Sequence, residues 1–590
     1  MDSQTTTASP SKKRWQSGLA VAVLLLSTVI VYGRVCRHEF AGWDDPATIH
    51  HNPLFDPPTR EKIAHTWVEP FKGLYTPVTQ SYLGTLAFLA ETKDIDREGI
   101  HLDARVFHTG SLVLHVLSVL LVFAILNLLS GHVWAALGGG LLFALHPLQV
   151  ESVAWASGAK DMLCGLLSLC AVYQYLLFAR REGDRRRWGH YAIGAVAMLL
   201  AMLSKPSAMV VPAVVVALDL FVIGRPWRRV AVAAGGWCLV VAPLAIVARL
   251  VQNADIVPDV AVWRRPFVAA DALTFYLWKL IWPVTLCLDY ARRPAVALRI
   301  WGGVWPVVSV LIVAGLGYWA WRGRGRRPWV VAAMAVFVAG VAPMLGLTPF
   351  MYQYTSTVAD HYVYLSMLGP AMVGTWLLTR YGRPAVAWGV AIVAVLLGVR
   401  SNLQLAYWHD DHAAWAHAAA VSPDSFVAPS NLGTSLAREA AILNDRADEA
   451  REAGRAAEAD ALLVRRRALI ARAADLQDRA IAINPDFVNA YRQGFNFRLR
   501  LGQERRAAEL LEKLLAVNDA KPASVRTDFT SYRETAGILW AKLGEYQKAA
   551  TQFEKYVSAV PANADARQAL AEVRAKLAEA RTGDDEVLRR

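Results

Sequence analysis

At 590 residues, with 55% hydrophobic and only 19% charged side chains and a mean hydropathy of +0.29, the chain is too long for one ordinary domain and too apolar for an ordinary soluble protein. Its net charge of +13 and pI of about 9.5 would point to nucleic acid in a soluble chain. Here the basic residues fall in short clusters between apolar runs, the pattern of cytoplasmic loops in a membrane protein, and nucleic acid is excluded as a partner.

The N-terminus carries Lys12-Lys13-Arg14 ahead of an apolar run from Gly18 to Val35. That run is longer than a secretory signal core and has no small-residue cleavage site behind it, so it reads as an uncleaved first transmembrane helix. Apolar periods near 106–129, 133–148, 162–178, 191–203, 209–223, 230–251, 301–321, 329–347, 362–378 and 385–399 bring the expected spans to about eleven. Two further stretches, 74–89 and 272–288, contain Pro77 and Pro283. If neither crosses, the clusters at Arg180–Arg187, Arg225–Arg229, Arg322–Arg327 and Arg380–Arg383 all share the cytoplasmic side with Lys12–Arg14. The two stretches then become interfacial or re-entrant elements on the outer face. The five cysteines show neither CxxC nor zinc spacing, and the fourteen histidines no HExxH, so no dedicated metal cage and no certain cofactor is read from them.

An odd number of spans puts everything beyond about Arg400 outside. The expected division is a multi-pass membrane domain at 1–402 and an extracytoplasmic domain at 403–590. This tail is Ala-, Arg- and Glu-rich, and 532–561 follows the 34-residue tetratricopeptide (TPR) pattern. Gly537, Trp540, Gly544, Tyr546, Ala549, Phe553 and Pro561 occupy its marker positions. Weaker copies are read at 491–517, ahead of Asn484-Pro485, and from Trp415 to Pro423 leading into Asn431-Leu432-Gly433. The charged insertion at 437–478 predicts a lengthened helical hairpin. The predicted fold class is all-α throughout, a polytopic helical membrane domain followed by an α-solenoid. Such an array is a scaffold that binds peptides and does no chemistry.

Chemistry is expected where ionisable residues gather at outer helix ends. The first outer loop carries Trp43-Asp44-Asp45-Pro46, two adjacent carboxylates of which one could serve as a base and the other as a hydrogen-bonding or helix-capping group. A second cluster holds His146, Glu151, Trp155, Lys160 and Asp161; Ser204-Lys205-Pro206, Asp289-Tyr290 and Asp360-His361-Tyr362 complete the set.

These residues resemble the transmembrane and TPR-containing O-mannosyltransferase-like family. The resemblance rests on Trp43-Asp44-Asp45…Asn52-Pro53, Phe107-His108…His115, Leu142–Pro147…Glu151…Trp155…Lys160-Asp161, Leu280…Pro283…Leu286–Tyr290 and Ala359–Tyr362…Tyr364-Leu365, with membrane part first and repeats after. It implies a GT-C-type glycosyltransferase fold, a catalytic acid in the first outer loop, and a polyprenyl- or dolichyl-phosphate-linked sugar as donor. Lys160 and His361 stand where the family usually carries arginine; lysine still neutralises phosphate but without the bidentate fork. On this reading Asp44 or Asp45 is the base, Glu151 positions acceptor or base, and His146, Lys160, Asp161, Lys205 and His361 line the substrate site. The acceptor is a hydroxyl, protein Ser/Thr, delivered by the repeats. The site faces the periplasm of a bacterial inner membrane, or the ER lumen in a eukaryote. A non-catalytic membrane scaffold is the rival class.

Overall fold

The computed structural model describes residues 10–92, 99–251, 260–522 and 525–588. The chain folds as two compact units, Met1–Val421 and Ser422–Arg590. The boundary lies beyond the expected 402/403 because the helix Asp411–Val421 packs on the first unit. There Asp411 accepts the Gly42 N–H at 2.8 Å, His417 Nε2 lies 2.9 Å from the Leu286 carbonyl, and Trp415 packs on Trp43 with ring centroids 4.9 Å apart. Composition alone groups this segment with the soluble tail, and of the repeat expected at Trp415–Pro423 the part up to Val421 belongs instead to the membrane unit.

Among the described residues of the first unit, eleven helices match the expected spans. They are α1 (Pro10–Tyr32), α2 (Ala104–Ser130), α3 (Val133–Leu145), α4 (Ala159–Arg180), α5 (Arg187–Ser204), α6 (Val211–Leu218), α7 (Trp227–Val251), α8 (Val304–Gly323), α9 (Pro328–Val341), α10 (Leu368–Tyr381) and α11 (Pro384–Leu405). At one end of this bundle Asn402 donates to the Val31 carbonyl and Ser401 to the Leu145 carbonyl; at the other, Arg180 donates to the Leu129 carbonyl and Arg229 pairs with Glu182. The second end holds the arginine clusters together with exposed Trp15, Trp188, Trp227 and Trp321, side chains that favour the headgroup level.

Among the described residues seven helices are long and apolar enough to cross a membrane, or eight if Val133–Leu145 and Pro147–Ala154, bent by 52°, count as one span. The unit is that of an integral membrane protein. Of the three remaining expected spans, α5 has 18 residues but opens on Arg187 and His190, and α9 and α10 are shorter, 14 residues each, about 21 Å of helix, lengthened by single 3₁₀ turns at Ala342–Met344 and Leu365–Met367. They pack tightly, since a side chain on Gly369 would meet the Ala333 carbonyl of the neighbouring helix at 2.5 Å.

The two stretches left out of the count are helices outside those eleven, Pro77–Ala90 and Arg265–Ile281. Pro77 opens the first, where its missing N–H costs nothing, and Pro283 lies just beyond the second. Both pack at the end opposite the arginines: Thr79 donates to the Ser204 carbonyl, and His146 bonds the Leu280 carbonyl.

The second unit is a row of helices packed mainly on their chain neighbours. The expected long hairpin is present as Val427–Glu452 and Ala456–Ile483, reversed at Gly454 with φ +74°. Hairpins Val488–Arg500 with Glu504–Asp519 and Thr530–Lys542 with Tyr546–Ala559 follow, then Ala564–Leu588. In the best-matched repeat Trp540, Ala549 and Phe553 share one core, and Gly537 faces the Phe553 ring so closely that a Cβ would lie 2.8 Å from it. That contact requires glycine.

Candidate active site

The first loop leaves α1 and is clasped by one of its two adjacent carboxylates. Asp45 is fully buried: one oxygen accepts the Ala41 N–H at 2.8 Å, the other accepts the Ser157 N–H at 2.9 Å and the Ser157 hydroxyl. Burial pushes its carboxyl up to about 6 against the hydrogen bonds from Ser157 and Ala41, with neighbouring Asp44 adding to the rise. With both oxygens engaged, Asp45 ties the first loop to the turn before α4.

Asp44 points the other way. Its backbone carbonyl accepts the Thr48 N–H and hydroxyl, both at 2.8 Å, which fixes the turn and frees the side chain. The carboxylate is 43% exposed and lies 3.5 Å from the Lys160 ammonium, which sits 4.9 Å from the centroid of the Trp155 ring. The adjacent acids thus have separate tasks, one holding the loop and one facing the site.

The second cluster also divides. His146 accepts the Leu148 N–H through Nδ1 at 3.2 Å and bonds the Leu280 carbonyl through Nε2 at 3.1 Å. Both ring nitrogens are engaged within the fold, so His146 does not join the other predicted residues at the site. Glu151 is buried and receives the His361 backbone N–H at 3.2 Å and Nδ1 at 2.9 Å. Asp161 and Lys205 form a buried ion pair. The Lys205 ammonium also lies 5.2 Å from the Tyr362 ring centroid. These residues, with Cys164, Ser207 and His361, line a cavity of about 30 Å³, room for roughly one water. The second Asp161 oxygen is buried there without a hydrogen bond.

Aromatic rings join the two clusters. The Trp155 and His361 rings lie 5.5 Å apart, Tyr352 lies 6.4 Å from His361, and Trp43 of the first loop lies 6.2 Å from Tyr352. Asp44, Glu151, Lys160, Asp161, Lys205 and His361 therefore share one end of the bundle, built from five separate stretches of chain. Tyr352 was not singled out in the sequence; the aromatic string Phe350-Met351-Tyr352-Gln353-Tyr354 in the outer loop was the available signal. Beside it Tyr290 donates to Asp360 at 2.8 Å, and burial next to Glu151 raises the Asp360 carboxyl well above the usual carboxylate range. Chemically, Asp44 offers a reachable carboxylate and Lys160 a reachable ammonium, while Lys205 is already neutralised by Asp161.

No family model matches the chain. Segments of it are similar to curated proteins named protein O-mannosyl-transferases. Tmtc2 of Drosophila melanogaster is 35% identical over 108 residues, 18% of this chain and 11% of that protein. Mouse TMTC1 is 31% identical over 159 residues, 26% of this chain and 16% of the relative; human TMTC2 is 28% identical over 120 residues, 20% and 14%. The matches span about a tenth to a sixth of these relatives' lengths. Among solved structures, the Archaeoglobus fulgidus oligosaccharyltransferase aligns with a TM-score of 0.35 at 11% identity, covering 66% of this chain and 53% of that one.

Proposed function

We propose that the protein is a membrane glycosyltransferase of GT-C type. It moves a mannose-like hexose from a polyprenyl-phosphate carrier to a hydroxyl acceptor, a protein Ser or Thr, on the extracytoplasmic side. The observation that carries this reading is the exposed Asp44 carboxylate facing Lys160 at one end of a membrane helix bundle. The names of the partial relatives support the reaction class.

In this scheme Asp44 takes the acceptor's hydroxyl proton as the oxygen attacks the anomeric carbon. The bond from that carbon to the phosphate oxygen breaks, and the lipid phosphate leaves with the electron pair. A phosphate is a good leaving group at neutral pH, so the protein mainly supplies the base and a cation for the departing charge. Lys160 is placed for that task once the acceptor separates it from Asp44. Lys205 and His361 lie behind it, and Glu151 holds His361 in orientation. The helical repeats of the second unit present the polypeptide acceptor.

The test is transfer by purified protein from a panel of polyprenyl-phosphate sugars to serine- and threonine-containing peptides. Labelled peptide is the expected result. If every donor is inert while the repeats capture envelope proteins, the protein is a scaffold.

A further inference from the structure

The first loop is also held from a second side. The helix Asp411–Val421 follows α11 after a single 3₁₀ turn, Ala406–Trp408, and belongs to the first unit. It opens on another adjacent pair of acids, Asp410-Asp411, and these divide their work as well. Asp410 caps its own helix: its side chain accepts the Ala413 N–H at 2.8 Å and its carbonyl the Ala414 N–H at 3.2 Å. Asp411 is left to reach across 369 residues of chain, where it accepts the Gly42 N–H at 2.8 Å. One turn further along the same face Trp415 is buried, with its ring centroid 4.9 Å from that of Trp43. Just ahead of the helix the His409 carbonyl accepts the Glu39 N–H at 3.1 Å.

Glu39, Gly42 and Trp43 are thus all engaged by residues 409–415, and Asp44 is the next residue in the chain. Ala41, between them, donates to Asp45, which Ser157 holds from the other side. The backbone leading into Asp44 is fixed almost residue by residue, while its carboxylate stays partly exposed toward Lys160. The same helix is anchored to the opposite side of the site. His417 Nε2 lies 2.9 Å from the Leu286 carbonyl, which also accepts from Gln404, and the His417 ring stacks on Tyr407 with centroids 3.6 Å apart. From Leu286 the chain runs directly to Tyr290, which donates to Asp360. One rigid element therefore sets the spacing between the first loop and the segment 286–290. A base misplaced by about 1 Å can lose up to ~100-fold in rate, so such spacing has a direct kinetic consequence.

We infer that the helix Asp411–Val421 is a brace for the candidate base: Asp411 and Trp415 are positioning residues that act on the reaction through Asp44. The apparatus of the site then extends past α11 to Val421. The inference rests on the proposed glycosyltransferase reading for the reaction, and on the contacts alone for the hold on the loop.

The full-length protein is compared as wild type, Asp411→Asn and Asp411→Ala, with two readouts. One is hydrogen exchange of the amides 39–45 by mass spectrometry; the other is steady-state transfer from undecaprenyl-phosphate mannose to a serine- and threonine-containing peptide. Asp411→Ala should speed exchange in 39–45 and lower kcat ~10- to 100-fold at unchanged donor KM, because the base shifts and the phosphate site does not. Asp411→Asn keeps an oxygen that accepts the Gly42 N–H and should stay within about twofold of wild type in both readouts. Rates are taken well below the lowest melting midpoint of the set, so loss of folded protein does not enter kcat. Trp415→Phe, which keeps a smaller ring against Trp43, should lower kcat in the same direction and replaces Asp411→Ala if that variant does not fold. Wild-type exchange or wild-type kcat in Asp411→Ala overturns the brace. So does a loss in Asp411→Asn as large as in Asp411→Ala, or a raised donor KM with kcat unchanged. A wild type that transfers from no polyprenyl-phosphate sugar removes the glycosyltransferase reading instead; faster exchange in Asp411→Ala alone then leaves the hold on the loop standing, and equal exchange removes it too.

Discussion

The Asp44 carboxylate lies 3.5 Å from the Lys160 ammonium, joining the first loop to the first turn of α4 across more than a hundred residues of chain. The pair is partly exposed, so in the resting protein it contributes at most ~1 kcal/mol to stability. Its importance is chemical. Asp44→Asn should lower transfer by at least ~100-fold, the size of a lost general base, with the melting midpoint unchanged. Lys160→Ala should reduce donor binding and turnover together, since a phosphate is present in both ground and transition states. Asn variants that transfer at the wild-type rate with equal expression would remove Asp44 from the chemistry.

Asp45 should behave differently, and its pH dependence reveals it. In the unfolded chain an aspartate titrates near 4, whereas burial holds Asp45 up to about 6 in the fold. The folded state therefore keeps its proton longer, and stability falls as pH rises from about 4 to 6, by up to roughly 3 kcal/mol for a shift of this size. Asp45→Asn cannot ionise and escapes this loss, while it surrenders one acceptor to the Ala41 N–H. Melting curves from pH 4 to 7 should show the variant well below the wild type at acid pH and the gap narrowing toward neutrality. A constant gap would mean that Asp45 titrates as an ordinary exposed acid.

Much of this site was legible as a list of residues, and little of it as a division of labour. Trp43-Asp44-Asp45-Pro46 stood out as a pair of acids, but what separates them is Ser157, 112 residues away from Asp45, whose N–H and hydroxyl engage Asp45 and not Asp44. His146 read as a site residue because it neighbours Glu151 in sequence; its bond to Leu280 depends on a helix that hydropathy left unplaced. Eleven helices could be counted from apolar periods, yet the shortness of α9 and α10 depends on close approach at Gly369, which a hydropathy window does not sense.

The Lys205–Asp161 pair should carry stability. Both side chains are buried, 14% and 6% exposed, and Asp161 has one oxygen with no other hydrogen bond. Lys205→Met leaves a buried carboxylate without its counter-charge, a loss of roughly 3–5 kcal/mol. The double variant Lys205→Met/Asp161→Leu should recover most of that, because an apolar pair of similar volume needs no compensation. Thermal midpoints of the two single variants and the double variant form the cycle. A double variant as unstable as Lys205→Met would locate the cost in packing rather than charge.

The proposed orientation in the membrane rests on the two ends of the bundle. α4 ends at Arg180 and α5 begins at Arg187, while α8 ends beside Arg322 and α9 follows Arg327, so the connections at this end are short and rich in arginine. Short loops of this kind stay in the cytoplasm. α11 begins after Arg383 at that same end and runs to Leu405, where Gln404 and Ser401 bond the elements around the candidate site. On this proposed topology the second unit is extracytoplasmic. In a background without native cysteines, Ser531→Cys should therefore react with a membrane-impermeant maleimide added to intact cells, and Gly183→Cys only after permeabilisation. Both positions are exposed on the protein, so burial cannot account for a difference in labelling. Reaction at 183 with protection at 531 would invert the topology. It would then place Asp44, Lys160 and the repeats on the cytoplasmic face, where a site for extracytoplasmic transfer has no use.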